Sequence, residues 1–242
     1  MSAASRRAQE MARQQAVAAA KRQRERRMAL VAALVALVLL VGGGIAFQAW
    51  RTRRAPDAPT SGAESLAPVA IADGKPIVLG RSDAPVKLAL YEDFHCPHCA
   101  DFEEAYGPGL AAARDSGKAA IELYPMSFID AGSASAANAM ACAAEAGFGS
   151  SYYEGLFANS TLRWSDDQLI ELANQVAPAH TERFSSCLTS RVHASWVTSI
   201  NAAADANGVS STPTLFLDGA RLDLATLSPE ALQTKIDEAA TT

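Results

Sequence analysis

Apolar positions in this 242-residue chain fall into three patterns: one long unbroken run, several short strand-like runs, and stripes at helical spacing. The long run extends from Met28 to Phe47, with no charged residue before Arg51. Beyond it, Lys75–Leu79 and Val86–Tyr91 predict strands, separated by the turn sequence Gly80-Arg81-Ser82-Asp83-Ala84-Pro85. Ala100–Arg114 predicts a helix that is kinked or broken at Gly107-Pro108-Gly109. Ala119–Tyr124 predicts another strand. Ser133–Phe148 is rich in small residues and suits close helix packing. Ser165 and Gln168 form a capping-box pattern ahead of Leu169, Ile170, Leu172 and Val176, and Pro178 ends that helix. Phe184, Leu188, Val192, Trp196 and Ile200 form a further core stripe along Thr181–Ala206. The period then returns to a hairpin, Thr214–Leu217 and Ala220–Leu222 around Asp218-Gly219. A last helix starts at Ser228, with Pro229 in its first turn. The order is strand, strand, helix, strand, several helices, hairpin, helix: an α/β sandwich with a helical insertion.

Charge divides the chain at the long apolar run. Residues 1–54 carry eleven Lys/Arg against two Asp/Glu, a net +9, whereas residues 55–242 carry a net −14. The run is long enough to span a bilayer as a helix. The excess of basic residues before it places the N-terminus in the cytoplasm and the acidic bulk outside, with Trp50 where an interfacial aromatic belongs. Gly44 and Ala46 offer a small-x-small cleavage site, but the basic region and the apolar run are both longer than those of a signal peptide. The expected organisation is a cytoplasmic basic tail (1–27), a single transmembrane helix (28–50), a Pro- and Ser-containing linker (51–70) and a folded domain (71–242), with its helical insertion at about 126–206. A basic tail of this kind faces solvent or lipid and does not call for nucleic acid.

All four cysteines (Cys96, Cys99, Cys142, Cys187) lie on the expected exported side, where an even count favours disulfides. Three pairings are possible; the close spacing of Cys96 and Cys99 favours that pair together with Cys142–Cys187. His95-Cys96-Pro97-His98-Cys99 sits between a predicted strand and a predicted helix. A helix N-terminus there offers partial positive charge and unpaired N–H groups to a thiolate. The same residues could hold a soft metal, with His95, Cys96, His98 and Cys99 as ligands. Pro97, which tightens the helix start, favours a disulfide.

Phe94-His95-Cys96-Pro97-His98-Cys99 after a strand, a helical insertion, and Gly208-Val209-Ser210-Ser211-Thr212-Pro213-Thr214 before a hairpin together resemble the DsbA-like branch of the thioredoxin superfamily. The resemblance spans roughly residues 70–240 and is to membrane-tethered, actinobacterial-type members. It implies a thioredoxin fold with a helical insertion and an extracytoplasmic oxidoreductase that forms disulfides in exported proteins. It assigns Cys96 as the exposed nucleophile, Cys99 as the resolving thiol and Pro213 as a cis-proline beside them, with the backbone at Thr212 pairing with substrate. Pro97 and His98 complete the tetrad, and a cation at His98 favours the thiolate. No cofactor or metal is implied. The implied reoxidising partner is a quinone-linked membrane oxidase of DsbB or VKOR type. Cys142–Cys187 is expected to be a structural staple.

Two departures bear on redox direction. The buried acid six residues before the first cysteine in many thioredoxin-like proteins is Leu90 here, and strand alternation puts Glu92 on the same face. Thr212 before Pro213 resembles the disulfide isomerases. An isomerase or reductase on the same fold is therefore the alternative function, ahead of a metal-binding or copper-chaperone domain.

Overall fold

A computed structural model describes residues 68–241, together with Met28, 35–37, 39–44 and Pro56. The expected tail at 1–27 lies outside the described residues, as do most of the expected span at 28–50 and of the linker at 51–70. The chain divides into two compact units, residues 1–50 and 51–242. In the first, the described residues are helical, and Leu39 and Leu40 are exposed. Among the described residues, no helix is long and apolar enough to cross a membrane.

The second unit is built on a five-stranded sheet of order β1-β3-β2-β4-β5. Its strands are β1 (Ile77–Leu79), β2 (Val86–Glu92), β3 (Ala119–Pro125), β4 (Thr214–Leu217) and β5 (Ala220–Arg221). β2 is central, parallel to β3 and antiparallel to β4. Its apolar residues Val86, Leu88 and Leu90 are fully buried, which is why this segment reads as a core strand. The register sets Tyr91 opposite Thr214, so the C-terminal end of β2 meets the start of β4. Thr212 and Pro213 are thereby brought to the loop that follows β2.

Helix α1 (Pro97–Asp115) follows that loop. Pro108 lies inside it without ending it, where a kink or break is expected from sequence. Between β3 and β4 lies the helical insertion: α2 (Ala131–Ala146), α3 (Gly149–Ala158), α4 (Asp166–Val176), a 3-10 turn at Pro178–His180, α5 (Thr181–Thr189) and α6 (Ala194–Ala206). The final helix, α7 (Pro229–Ala239), packs against α1. Its cap is Ser228, whose hydroxyl accepts the Ala231 N–H.

The alanine-rich α2 is buried along most of its length and packs against α3, α4, α5 and α6. Small side chains allow that many neighbours to approach one helix. The predicted capping box holds at α4: Ser165 accepts the Gln168 N–H, and the Gln168 side chain accepts the Ser165 N–H.

Two elements differ from the sequence reading. Gly149–Ala158 forms α3, which its apolar spacing does not announce because nearly all of its faces are buried. The stripe at 181–206 is two helices. Buried Asn138 donates to the Leu188 carbonyl and accepts the His193 N–H, which ends α5 and starts α6. Arg191 takes a left-handed φ of 52° between them. That break turns Val192 outward; it is 55% exposed and not part of the core.

Candidate active site

The loop after β2 delivers Cys96 as the N-cap of α1, with extended backbone and Pro97 in the first helical turn. Proline suits that place because its missing N–H would have no helical partner there. The Cys99 and Ala100 N–H groups bond to the Cys96 carbonyl, closing the first turn. Cys96 and Cys99 are unlinked thiols. Cys96, expected as the exposed nucleophile, is itself buried at 7% exposure beneath the Thr212–Pro213 segment, and Cys99 is fully buried. The Cys96 thiol donates to the Thr212 carbonyl at 3.6 Å, and the Thr212–Pro213 peptide is cis. The four residues singled out from sequence as Cys96, Cys99, Thr212 and Pro213 therefore meet at one place. Burial raises the Cys99 thiol far above an ordinary thiol, and the Glu92 charge pushes it further in the same direction.

His98 points away. Its side chain is 84% exposed, with Asp101 Oδ2 at 3.8 Å from Nδ1. Water and that carboxylate both screen its influence on the sulfurs.

Residues that the sequence reading did not single out hold the loop. Asp93 is fully buried. Its Oδ1 accepts the His95 N–H at 2.8 Å, and Oδ2 accepts the N–H groups of Phe128 and Ile129 at 2.8 and 3.1 Å. One carboxylate thus ties the segment before Cys96 to the loop after β3. Three N–H donors satisfy a buried charge that would otherwise be very costly.

His95 is 3% exposed. Its Nδ1 lies 2.7 Å from Asp130 Oδ1, and its Nε2 accepts the Trp164 N–H at 3.2 Å. An acceptor role at Nε2 leaves the proton on Nδ1, so the ring is neutral and donates to Asp130. Asp130 also caps α2 by accepting the Ser133 N–H. Arg163 Nη1 donates to the His95 carbonyl. Gly132 leaves the space the ring needs: a Cβ there would lie 2.3 Å from His95 Cε1.

Burial lowers the His95 pKa, with Asp130 and Asp93 opposing and Arg163 assisting. The unfolded chain therefore takes up a proton near the ordinary value of about 6.5, and the folded chain only at lower pH. The stability from a neutral His95 is full above that value and falls as pH drops through the window below it. On acidification from pH 7.5 to 5.5 the melting midpoint of the full-length protein is expected to fall relative to that of His95→Gln, since buried Glu92 and Glu103, whose pKa values are raised, act equally in both. Equal slopes would show that His95 is not the titrating group. Asp130, whose pKa is lowered with His95 among the causes, acts in a separate window below the ordinary carboxylate value.

Beneath the thiols lies a second acid. Glu92, at the end of β2, is fully buried, as its strand face with Leu90 implies. Burial holds its pKa well above the usual range, and Glu103 and Cys96 push it the same way. The Tyr153 hydroxyl donates to Glu92 Oε2. Tyr153 comes from α3, whose aromatic face packs on the active-site loop: Phe94 lies 6.2 Å from the Tyr153 ring and 5.2 Å from Phe157. Neither Tyr153 nor α3 is visible in the motif pattern.

Cys142 in α2 and Cys187 in α5 are disulfide-bonded, as the spacing favours. Among the described residues, the one group of metal-ligand type is Cys142, Cys187 and His193, whose two sulfurs are bonded to each other. The ligand set considered from sequence does not converge: both His95 ring nitrogens are engaged, and His98 faces solvent.

A family model described as Thioredoxin matches residues 72–238. No curated protein matches the chain. Among solved structures, the reduced DsbA of Mycobacterium tuberculosis is similar at 22% identity and a TM-score of 0.60, covering 69% of this chain and 93% of that one. The oxidised BdbD of Bacillus subtilis matches at 22% and 0.60, over 75% and 100%. MdbA of Corynebacterium diphtheriae, described as a thiol-disulfide oxidoreductase, matches at 22% and 0.56, over 73% and 95%. At these identities the likeness establishes a shared fold.

Proposed function

The chain belongs to the thioredoxin family, and from that membership we propose that it is a thiol–disulfide oxidoreductase forming disulfides in exported proteins through Cys96 and Cys99. The observation that carries the reading is a pair of unlike thiols. Cys96 sits at a helix N-cap with its sulfur 3.6 Å from the Thr212 carbonyl, and Cys99 is wholly buried behind it. The description of the similar MdbA supports it.

In the oxidised protein, a substrate thiolate attacks the Cys96 sulfur. The Cys96–Cys99 bond breaks, Cys99 leaves with the electron pair and takes up a proton, and a mixed disulfide remains. A second substrate thiolate attacks the substrate sulfur of that bond and expels Cys96 as a thiolate, its natural leaving form at a helix N-terminus. The substrate gains one disulfide, and the protein is left as the dithiol. The backbone before Pro213 receives the substrate chain as an added strand.

The chemistry asks for no resident cofactor or metal. It does require reoxidation, which this reading assigns to a quinone-linked membrane oxidase of DsbB or VKOR type. Residues 28–50 serve as a single-pass anchor with the C-terminal domain outside the cytoplasm, a placement supported by the apolar run and the charge change across it. Anchoring raises the local concentration of such a partner.

Thr212 beside Pro213 favours a second reading, in which the same site isomerises or reduces disulfides. Equilibration with glutathione separates the two. A Cys96–Cys99 potential of about −120 to −180 mV is expected for oxidase or isomerase work, and about −270 mV means reductase work. Oxidation of a reduced, unfolded substrate by stoichiometric oxidised protein distinguishes oxidase from isomerase.

A further inference from the structure

One face of α2 carries Asn138, Cys142 and Glu145 on successive turns, and each engages the segment around the break between α5 and α6. Asn138 Oδ1 accepts the His193 N–H at 2.9 Å. Cys142 is bonded to Cys187. Glu145 Oε2 lies 3.3 Å from His193 Nε2. The two sulfurs and one His193 ring nitrogen all lie within 4.8 Å of one another. The Cα atoms of the two cysteines are 5.9 Å apart, so both sulfurs can reach one ion at the usual Zn–S distance of about 2.3 Å.

A disulfide staple accounts for two of these side chains and not for the third. His193 is 8% exposed, held through its backbone by Asn138 and through its ring by Glu145. It stands beside sulfurs that, while bonded to each other, offer it only weak acceptors. Two thiolates and an imidazole are donors that suit zinc, and a carboxylate against the imidazole is the usual means of holding such a ring. The site is also open to solvent. Cys187 is half-buried and, with Glu145, lines a surface pocket whose other charged members are Glu182 and Arg183. Two acids against one cation leave that pocket favourable to a positive ion.

We propose that Cys142, Cys187 and His193 form a zinc site when their disulfide is reduced, with Glu145 orienting the imidazole and water from the pocket in the fourth position. A dithiol attacks the half-buried Cys187 sulfur and expels Cys142. Its second thiol attacks the mixed disulfide on the dithiol side and expels Cys187. The dithiol leaves as a disulfide, and its two electrons stay on the two cysteines. Zn²⁺ binds both as thiolates, and their two protons go to solvent. Exchange with a disulfide in the reverse direction re-forms the bond and releases the ion. The insertion is thus tied by a covalent bond under oxidising conditions and by a metal ion under reducing ones. The site shares no residue with Cys96 and Cys99 and does not depend on their chemistry.

The test uses the full-length Cys96→Ser/Cys99→Ser variant, in which only the second pair can supply thiolates. It is reduced with a phosphine, exposed to zinc and desalted, and its zinc content and melting midpoint are measured. Stoichiometric zinc is expected in the reduced protein and almost none in the oxidised one. Zinc is expected to raise the melting midpoint of the reduced protein, because it binds the folded form. Co²⁺ in its place is expected to show thiolate-to-metal charge-transfer absorption. Adding Glu145→Gln is expected to weaken zinc binding about 10- to 100-fold, and adding His193→Ala to weaken it further; both stay folded when oxidised, since the disulfide is untouched. Reduced protein without zinc overturns the site, as does a disulfide that the phosphine leaves intact in the folded protein. Zinc that leaves the melting midpoint unchanged also overturns it, being capture by unfolded thiols, and so does undiminished affinity in His193→Ala.

Discussion

Cys96→Ser is expected to reduce disulfide formation in a reduced, unfolded substrate to the uncatalysed rate. The first bond to the substrate forms at the Cys96 sulfur, and a serine hydroxyl can neither hold the disulfide with Cys99 nor form a mixed disulfide. Cys99 cannot substitute, because it is fully buried and its thiol is held far above the ordinary range by burial and Glu92. The two cysteines should therefore fail differently. Cys99→Ala keeps the N-cap thiol and is expected to accumulate a mixed disulfide with a disulfide-containing substrate, visible as an adduct on non-reducing gels. Serine at position 96 retains the fold, since Ser is a favoured N-cap residue. Full activity in Cys96→Ser would remove the proposed function at its root.

Removing the other disulfide is expected to have the largest effect on stability. Cys142–Cys187 joins α2 to α5 across a sequence separation of 45. Closing a loop of that length contributes about 4 kcal/mol through the entropy of the unfolded chain. The double variant Cys142→Ala/Cys187→Ala should therefore melt about 8–16 °C lower. The loss should fall on stability and spare the chemistry, because neither sulfur is among the groups that meet at Cys96. Exchange rate per folded molecule is the readout that separates the two. An unchanged melting midpoint would show that the helical insertion is held by its packing alone. A large fall in exchange rate at temperatures where the variant is folded would give this disulfide a redox role.

The acid beside Cys99 is only partly legible in the sequence. Leu90 stands where a buried acid is common, and strand alternation points to Glu92 as the substitute. Glu92 is fully buried and acts on the Cys99 thiol. Its neighbour Asp93 has a different task, anchoring three N–H groups around the loop. His98 lies within the motif yet faces solvent, while His95, just outside the cysteine pair, is locked between Asp130 and the Trp164 N–H. A motif specifies which residues are adjacent in the chain. It does not specify which side chains are turned inward at a strand-to-helix junction.

Taken alone, the sequence carries the order of strands and helices along the chain with its helical insertion, the place of Cys96 at a helix start, and the Cys142–Cys187 pair. These depend on periodicity, turn chemistry and spacing, all of which are local. Only the tertiary structure decided what surrounds the thiols. Tyr153, Asp130, Arg163 and Trp164 come from between 35 and 69 residues away from their partners at the site, all within the insertion. Helix α3 shows why they stay hidden: buried on most of its surface, it has no polar face to create a period, so neither the helix nor the phenol it delivers to Glu92 is written in the pattern. Burial turns these ordinary residues into chemistry, because a carboxyl or thiol shifts its protonation only once packing has removed it from water.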